Sequence, residues 1–332
     1  MTKRFALVAL AVVVVVPIAC TDERNDEPVE PQRIVTLGDS YSSGLGIHRD
    51  ASDYDDHGPP AHSFDSATRL GGSACYREID TTPGPRIAAE SGLDSVFIAC
   101  AGASIADMPN QMAAAAIPGD GAGTIALLTV GGNYARTSSG GDWPDALIEC
   151  ITSFGCDDEY GEIVNADQIQ AALAEFLGVL IAEYPRLVVR VSAYPELMQP
   201  DRWGCVGVTG VGRSEANWID DQVGVLNESI AGAVQSVTVE ADEEADVVFV
   251  PVDDEFDNHG ACRTFQRDRF VNDALKGERL RREMTSDGEV IDVYDDGFFT
   301  ISASSFHPSQ DGYDAYHHAL DVSLDTTLDP TE

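Results

Sequence analysis

Three stretches of this 332-residue chain carry residue types that could act together in covalent catalysis. Gly38-Asp39-Ser40-Tyr41-Ser42-Ser43-Gly44 follows the apolar run Ile34-Val35-Thr36-Leu37, which reads as a buried parallel strand. A strand that ends in Gly and then presents a Ser can hold a nucleophile. The Gly permits a sharp turn, and a helix starting at the Ser aims free backbone N–H groups at its oxygen. Gly44 and Gly46 keep the next backbone slim enough for a substrate to approach. A Ser hydroxyl is barely ionised at neutral pH and needs a general base within hydrogen-bond reach. His307, in Ser305-Phe306-His307-Pro308-Ser309 before an expected helix, supplies an imidazole that can take and return the proton. The third stretch, Leu127-Leu128-Thr129-Val130-Gly131-Gly132-Asn133, ends an apolar strand in two glycines and an amide that could donate to an oxyanion. Taken singly, each has a plain structural alternative: a serine-rich turn, a surface His before a helix, and a cap or turn Asn. The Gly-x-Ser-x-Gly elbow of α/β-hydrolases is not met, because position 42 is Ser.

Positioning these residues requires a scaffold, and the apolar pattern supplies one. Strands are expected at Arg33–Leu37, Ser95–Ala99, Ile125–Val130, Leu187–Ser192 and Val247–Val252. Val, Ile and Leu run through them without polar alternation, as in a parallel sheet covered on both faces. Helical patterns lie between them: Ala166–Glu183 stopping before Pro185, a longer one over Trp218–Glu240, and a closing one over Ser309–Leu320. Strands alternating with helices give an α/β fold, a three-layer α/β/α sandwich with a central parallel sheet of about five strands, flavodoxin-like in outline. In such sheets the site lies beyond the carboxyl ends of the strands, where Ser40, Gly102 and Asn133 can converge. About 300 residues suit one large domain, expected over 33–325. The long segments Ile47–Arg86 and Asp253–Ser304 read as walls or lids of a pocket, with the apolar and aromatic residues of Val290–Ile301 candidates to line it.

Four blocks in order, Gly38-Asp39-Ser40-Tyr41, Ala99-Cys100-Ala101-Gly102-Ala103, Gly131-Gly132-Asn133 and His307-Pro308, span nearly the whole chain after residue 33. In these blocks the chain resembles the SGNH hydrolases, also called GDSL-type lipases and esterases, and looks closest to the secreted actinobacterial branch with three disulfides. The resemblance implies a carboxylic ester hydrolase with Ser40 as nucleophile and His307 as base, and no cofactor. It implies an oxyanion hole formed by the Ser40 and Gly102 backbone N–H groups and the Asn133 side-chain amide. The chain departs from the commoner Asp-x-x-His pattern, since Ser304 stands three residues before His307. The secreted branch implies that a backbone carbonyl, here Ser304 or Ser305, orients the imidazole. Asp39 is read as structuring its turn, Tyr134 replaces the usual Asp after the Asn, and His259 matches a family motif near the last Cys. Substrates in keeping with the resemblance are lipid or short-chain acyl esters. Alternatives are a carbohydrate O-acetyl esterase and a non-catalytic surface lipoprotein that binds lipid or glycan.

The first 19 residues, with Lys3, Arg4 and the apolar run Phe5–Ala19, fit an export signal better than a membrane span of ~20 apolar residues. Pro17-Ile18-Ala19-Cys20 resembles a bacterial lipobox, so Cys20 is expected to carry lipid and anchor an exported, monomeric protein to the membrane surface. Secretion after an ordinary signal peptide is the alternative. Residues 20–32, rich in Asp, Glu and Pro, read as a disordered tether. Six further cysteines in an exported chain argue for disulfides, with 15 possible connectivities. The resemblance implies Cys75–Cys100, Cys150–Cys156 and Cys205–Cys262. No metal site is expected: zinc-ligand spacing is missing, and an EF-hand loop starting at Asp53 would need Glu where Phe64 stands. His317 and His318 are expected at the surface. Acids outnumber Lys plus Arg by 57 to 20, a formal charge of −37, which disfavours nucleic-acid partners for want of a basic patch.

Overall fold

The computed structural model describes residues 29–47, 77–78, 81–153, 161–205, 208, 211–240, 246–274, 279–284, 290–295 and 305–328. Five strands form one parallel sheet: β1 (Arg33–Gly38), β2 (Asp94–Phe97), β3 (Thr124–Thr129), β4 (Val188–Ser192) and β5 (Asp246–Val250). Their order is β2-β1-β3-β4-β5, so the two central strands β1 and β3 run side by side from Arg33↔Thr124 to Gly38↔Thr129. Residue 32 already belongs to this frame, since the Gln32 N–H donates to Gly123 O at 2.8 Å.

Alternate side chains of each strand enter two separate cores. Val35, Leu37, Ala126, Leu128, Val189 and Val191 face one core with α3 (Met108–Ala115), α5 (Ala166–Glu183) and α6 (Arg213–Glu240). Ile34, Ile125, Leu127 and Val250 face the other with α2 (Pro83–Ser91) and α8 (Gln310–Leu328). The continuous apolar runs of β1 and β3 follow from burial on both faces. At the edge, β2 departs from that rule, with Asp94 and Ser95 exposed as polar residues that discourage pairing with another chain. The other α-helices among the described residues are the single-turn α1 (Ser40–Ser43) and α7 (Asp253–Phe256) and the longer α4 (Trp143–Ser153).

Beyond the expected elements, α2, α3 and α4 are further helices, and α6 begins at Arg213 where Trp218 was expected. α8 continues past Leu320 to Leu328 because Leu324, fully buried, prolongs the inward stripe of Tyr313, Tyr316 and Leu320. Within 253–304, β6 (Arg279–Met284) and β7 (Val290–Asp295) form an antiparallel hairpin with Met284 opposite Val290. The side chains of 290–301 lie outside the described residues, as does the loop 48–57. The disulfide Cys205–Cys262 joins the loop after β4 to the segment after α7. Cys100 and Cys150 are also disulfide-bonded, while Cys75 and Cys156 lie outside the described residues.

Arg190, in the middle of β4, is an unannounced charge in the α8-side layer. Its guanidinium meets Asp246 at 2.8 and 3.1 Å, Ser323 O at 3.1 Å and Thr327 Oγ1 at 3.3 Å, so the buried cation is paired and its donors are used. Removing it would leave Asp246 without its partner, but that carboxylate is half-exposed and can be rehydrated. Arg190→Ala should therefore cost about 2 kcal/mol, below the ~3–5 kcal/mol typical of fully buried pairs. Urea unfolding midpoints check this, and a cost near zero would show that the pair is idle.

Candidate active site

The site begins where β1 stops. Gly38 has φ +113°, and a Cβ there would lie 2.3 Å from Thr129 O, so only glycine turns the chain this close to β3. The buried Gln111 amide brackets the Gly38 peptide, accepting from Gly38 N at 2.7 Å and donating to Gly38 O at 2.8 Å. Beyond it, Asp39 caps α1: its Oδ1 accepts from Tyr41 N at 2.9 Å, which matches the turn-building role read for it. Ser42 Oγ accepts from Thr129 N at 2.8 Å, and the Tyr313 hydroxyl donates to Ser40 O at 3.2 Å. The Ser40 turn is thereby tied to α3, β3 and α8.

His307 arrives on a loop held from two sides. Asn272 N donates to His307 O at 3.0 Å, Phe306 N donates to Asn272 O at 3.2 Å, and Val271 bridges Pro308. The Asn272 side chain donates to Gly46 O at 2.7 Å, and a Cβ on Gly46 would lie 2.7 Å from His307 Cβ. Tyr41 donates from its hydroxyl to Phe306 O at 2.6 Å and sets its ring 4.9 Å from the imidazole. Phe306 itself is buried with φ +60°, a left-handed conformation held by these bonds.

The resulting geometry is that of a nucleophile and base. His307 Nε2 lies 2.8 Å from Ser40 Oγ, and Nδ1 lies 3.0 Å from Ser305 O. A carbonyl can only accept, so Nδ1 carries the hydrogen and Nε2 presents its lone pair to the Ser40 hydroxyl. Of the two carbonyls expected to orient the ring, Ser305 makes this bond; Ser304 lies outside the described residues.

The expected oxyanion donors are brought to the same strand ends. Cys100 N donates to Gly38 O at 3.0 Å, which fixes the turn containing Gly102, φ +80°, beside β1. Asn133 sits in the turn after β3, and its Nδ2 donates to Ala103 O at 2.9 Å, leaving a second amide hydrogen. Tyr134, which replaces the family's Asp, holds its turn through the main chain: its carbonyl accepts from Asn165 Nδ2 at 2.9 Å.

Other residues singled out in the sequence have different places. His259 stacks on Phe270 at 3.8 Å and its Nδ1 meets Asp268 O at 2.9 Å, so it braces the segment that pairs with the His307 loop. His317 is not at the surface as expected: it is largely covered and meets Glu90 Oε2 at 3.0 Å between α8 and α2, whereas His318 is exposed. Among the described residues no cluster of His, Cys, Asp or Glu could hold a metal ion. An open depression of about 860 Å³, lined by Glu196, Trp203, Asp220, Asp257 and Arg263 among others, does not include Ser40 or His307.

The contacts that the sequence reading missed are those of Tyr41, Gln111, Asn272 and Tyr194. Tyr194 donates from its hydroxyl to Asp39 Oδ2 and accepts from Gly132 N at 3.0 Å. Burial pushes the Asp39 carboxyl up to about 7 despite the hydrogen bonds from Tyr194 and Tyr41 that favour the ionised form. Asp220 is likewise pushed up to about 7 by burial.

No protein-family model matches the sequence, and no curated protein matches it. Solved structures do match. Phospholipase A1 from Streptomyces albidoflavus NA297 aligns over 88% of this chain and 99% of its own, at TM-score 0.56 and 20% identity. An extracellular lipase from Streptomyces rimosus aligns over the same 88% and 99%, at TM-score 0.56 and 18% identity.

The raised Asp39 carboxyl has a consequence for stability. A folded pKa above the unfolded one means that the native state binds the extra proton, so this group's contribution falls as pH rises from about 4 to about 7. Asp220 contributes with the same sign. Asp39→Asn keeps the acceptance from Tyr41 N at Oδ1, puts an Nδ2 donor against Tyr194 Oη and removes the titrating group, so it should flatten the decline; urea midpoints at pH 5 and pH 8 compare the two proteins. An unchanged difference between the two pH values would contradict the assignment. At 18–20% identity the likeness to the two enzymes is one of fold, and the chain has the three-layer α/β/α fold of the SGNH hydrolases, the family its four motif blocks resemble.

Proposed function

We propose that the protein is a serine ester hydrolase of the SGNH type, exported and acting on carboxylic esters through Ser40 and His307. The observation that carries this reading is the 2.8 Å contact of Ser40 Oγ with His307 Nε2, whose ring is oriented through Nδ1 by Ser305 O. In the proposed reaction His307 Nε2 takes the Ser40 proton as Oγ attacks the ester carbonyl. The tetrahedral oxyanion accepts hydrogen bonds from the Ser40 and Gly102 N–H groups and from the second hydrogen of Asn133 Nδ2. The imidazolium then gives its proton to the departing alcohol, leaving an acyl group on Ser40. Water, deprotonated by the same imidazole, releases the acid and restores the hydroxyl.

The Streptomyces structures of the same fold are a phospholipase A1 and a lipase, which favours lipid or acyl esters as substrates. Export is supported by the Lys3-Arg4 and Phe5–Ala19 pattern and by the Cys205–Cys262 disulfide. In this reading Cys20 is lipidated and residues 20–32 tether the domain to the membrane surface.

The deciding experiment is hydrolysis of a short p-nitrophenyl ester by wild type, Ser40→Ala and His307→Ala, each checked for folding. Both substitutions should lower kcat by at least about 10³-fold, since nucleophile and base act as a unit. Equal rates in wild type and Ser40→Ala would remove the enzyme reading.

A further inference from the structure

We infer that Tyr194 is a positioning residue for this reaction: its hydroxyl fixes the spacing between the turn that carries Ser40 and the turn that carries Asn133. The inference rests on the ester-hydrolase reading above. Asp39, Gly132 and Tyr194 follow β1, β3 and β4, which are consecutive in the sheet. The hydroxyl therefore crosses the end of β3 to reach the β1 turn, a span of about two strand spacings or ~10 Å. A long, rigid side chain with a polar tip is suited to that span, and both residues it meets adjoin the chemistry: Asp39 precedes Ser40 and Gly132 precedes Asn133.

The bond directions leave little freedom. The Gly132 N–H can only donate, so it donates to Tyr194 Oη at 3.0 Å. The Tyr194 hydrogen is then available for Asp39 Oδ2, while Oδ1 accepts from Tyr41 N at 2.9 Å. The tyrosine is itself anchored. Its backbone N–H donates to Asn227 Oδ1 at 2.9 Å, and its carbonyl accepts from Asn227 Nδ2 at 2.8 Å, so one amide of α6 holds both. The ring is buried and meets Tyr41 edge-on at 4.9 Å. Asn133 is thus held from two directions, by Ala103 O on its side chain and by Tyr194 on the preceding amide. Loss of the hydroxyl would leave Gly132 N–H and Asp39 Oδ2 each short of a partner in a buried setting. The Asn133 turn would then relax away from the Ser40 turn.

Removing an oxyanion donor outright costs ~10²–10³-fold, and misplacing one by ~1 Å costs up to about 10²-fold. Tyr194→Phe keeps the ring and should lower kcat for a p-nitrophenyl ester by ~10–100-fold, with KM changed by less than about threefold. A purely structural role would not make this loss depend on Asn133. The cycle with Asn133→Ala tests that dependence: the double variant should be no more than about twofold slower than Asn133→Ala alone. If Tyr194→Phe does not fold, a fluorinated tyrosine at position 194 keeps the hydroxyl, weakens its acceptance from Gly132 N–H, and should still lower kcat. Folding is read from melting temperature. With Ser40→Ala inactive, wild-type kcat in Tyr194→Phe or in the fluorinated protein overturns the inference, and so do losses that multiply in the cycle. An ester assay in which Ser40→Ala matches wild type fails the hydrolase reading itself.

Discussion

One hydrogen bond sets the state of the site: His307 Nδ1–H to the carbonyl of Ser305. It fixes the tautomer, and the tautomer decides that Nε2 faces Ser40 Oγ as an acceptor. A carbonyl two residues from the His cannot rotate away as a side chain can, so the constraint passes to the backbone of 305–309. The left-handed Phe306, the Tyr41 hydroxyl on its carbonyl and the Asn272 pairing all serve to hold that backbone. Glycine at 46 is needed because a larger residue would displace His307.

The other half of the site is built around a buried carboxylate set among hydroxyls. Asp39 receives hydrogen bonds from Tyr41 N–H and the Tyr194 hydroxyl, and Tyr313 and Tyr316 lie in its field. Burial explains its raised pKa. The arrangement organises the turn and leaves His307 to be oriented by the main chain. It also ties the Ser40 turn to the sheet, since Tyr194 follows β4 and Asp39 N donates to Thr129 O on β3.

Much of this was legible in the sequence, for physical reasons. Strands buried on both faces leave unbroken apolar runs, and turns that need positive φ leave glycines, as at Gly38, Gly102 and Gly131. These local requirements reveal the sheet and the four blocks at its carboxyl end. The bonds that position them join residues far apart in the chain and leave no periodic trace. Tyr194 with Asp39, Gln111 with Gly38 and Tyr41 with Phe306 are separated by 155, 73 and 265 residues. Arg190 was hidden in the same way, because its partners Asp246 and Thr327 are distant in sequence. The end of α8 was missed because only Leu324 and Leu328 carry its apolar stripe past Leu320 among polar residues.

The central claim, that a main-chain carbonyl and not a carboxylate orients His307, is tested most directly by substituting the acids nearest to it in sequence. Asp292→Asn, Asp295→Asn, Asp296→Asn and Asp311→Asn are each compared with wild type for kcat on a p-nitrophenyl ester, with folding verified separately. Loss of a true triad acid costs about 10⁴-fold. All four variants should stay within about tenfold of wild type, roughly 1.4 kcal/mol. A folded variant slower by about a thousandfold or more would identify a catalytic acid and contradict the carbonyl-oriented dyad.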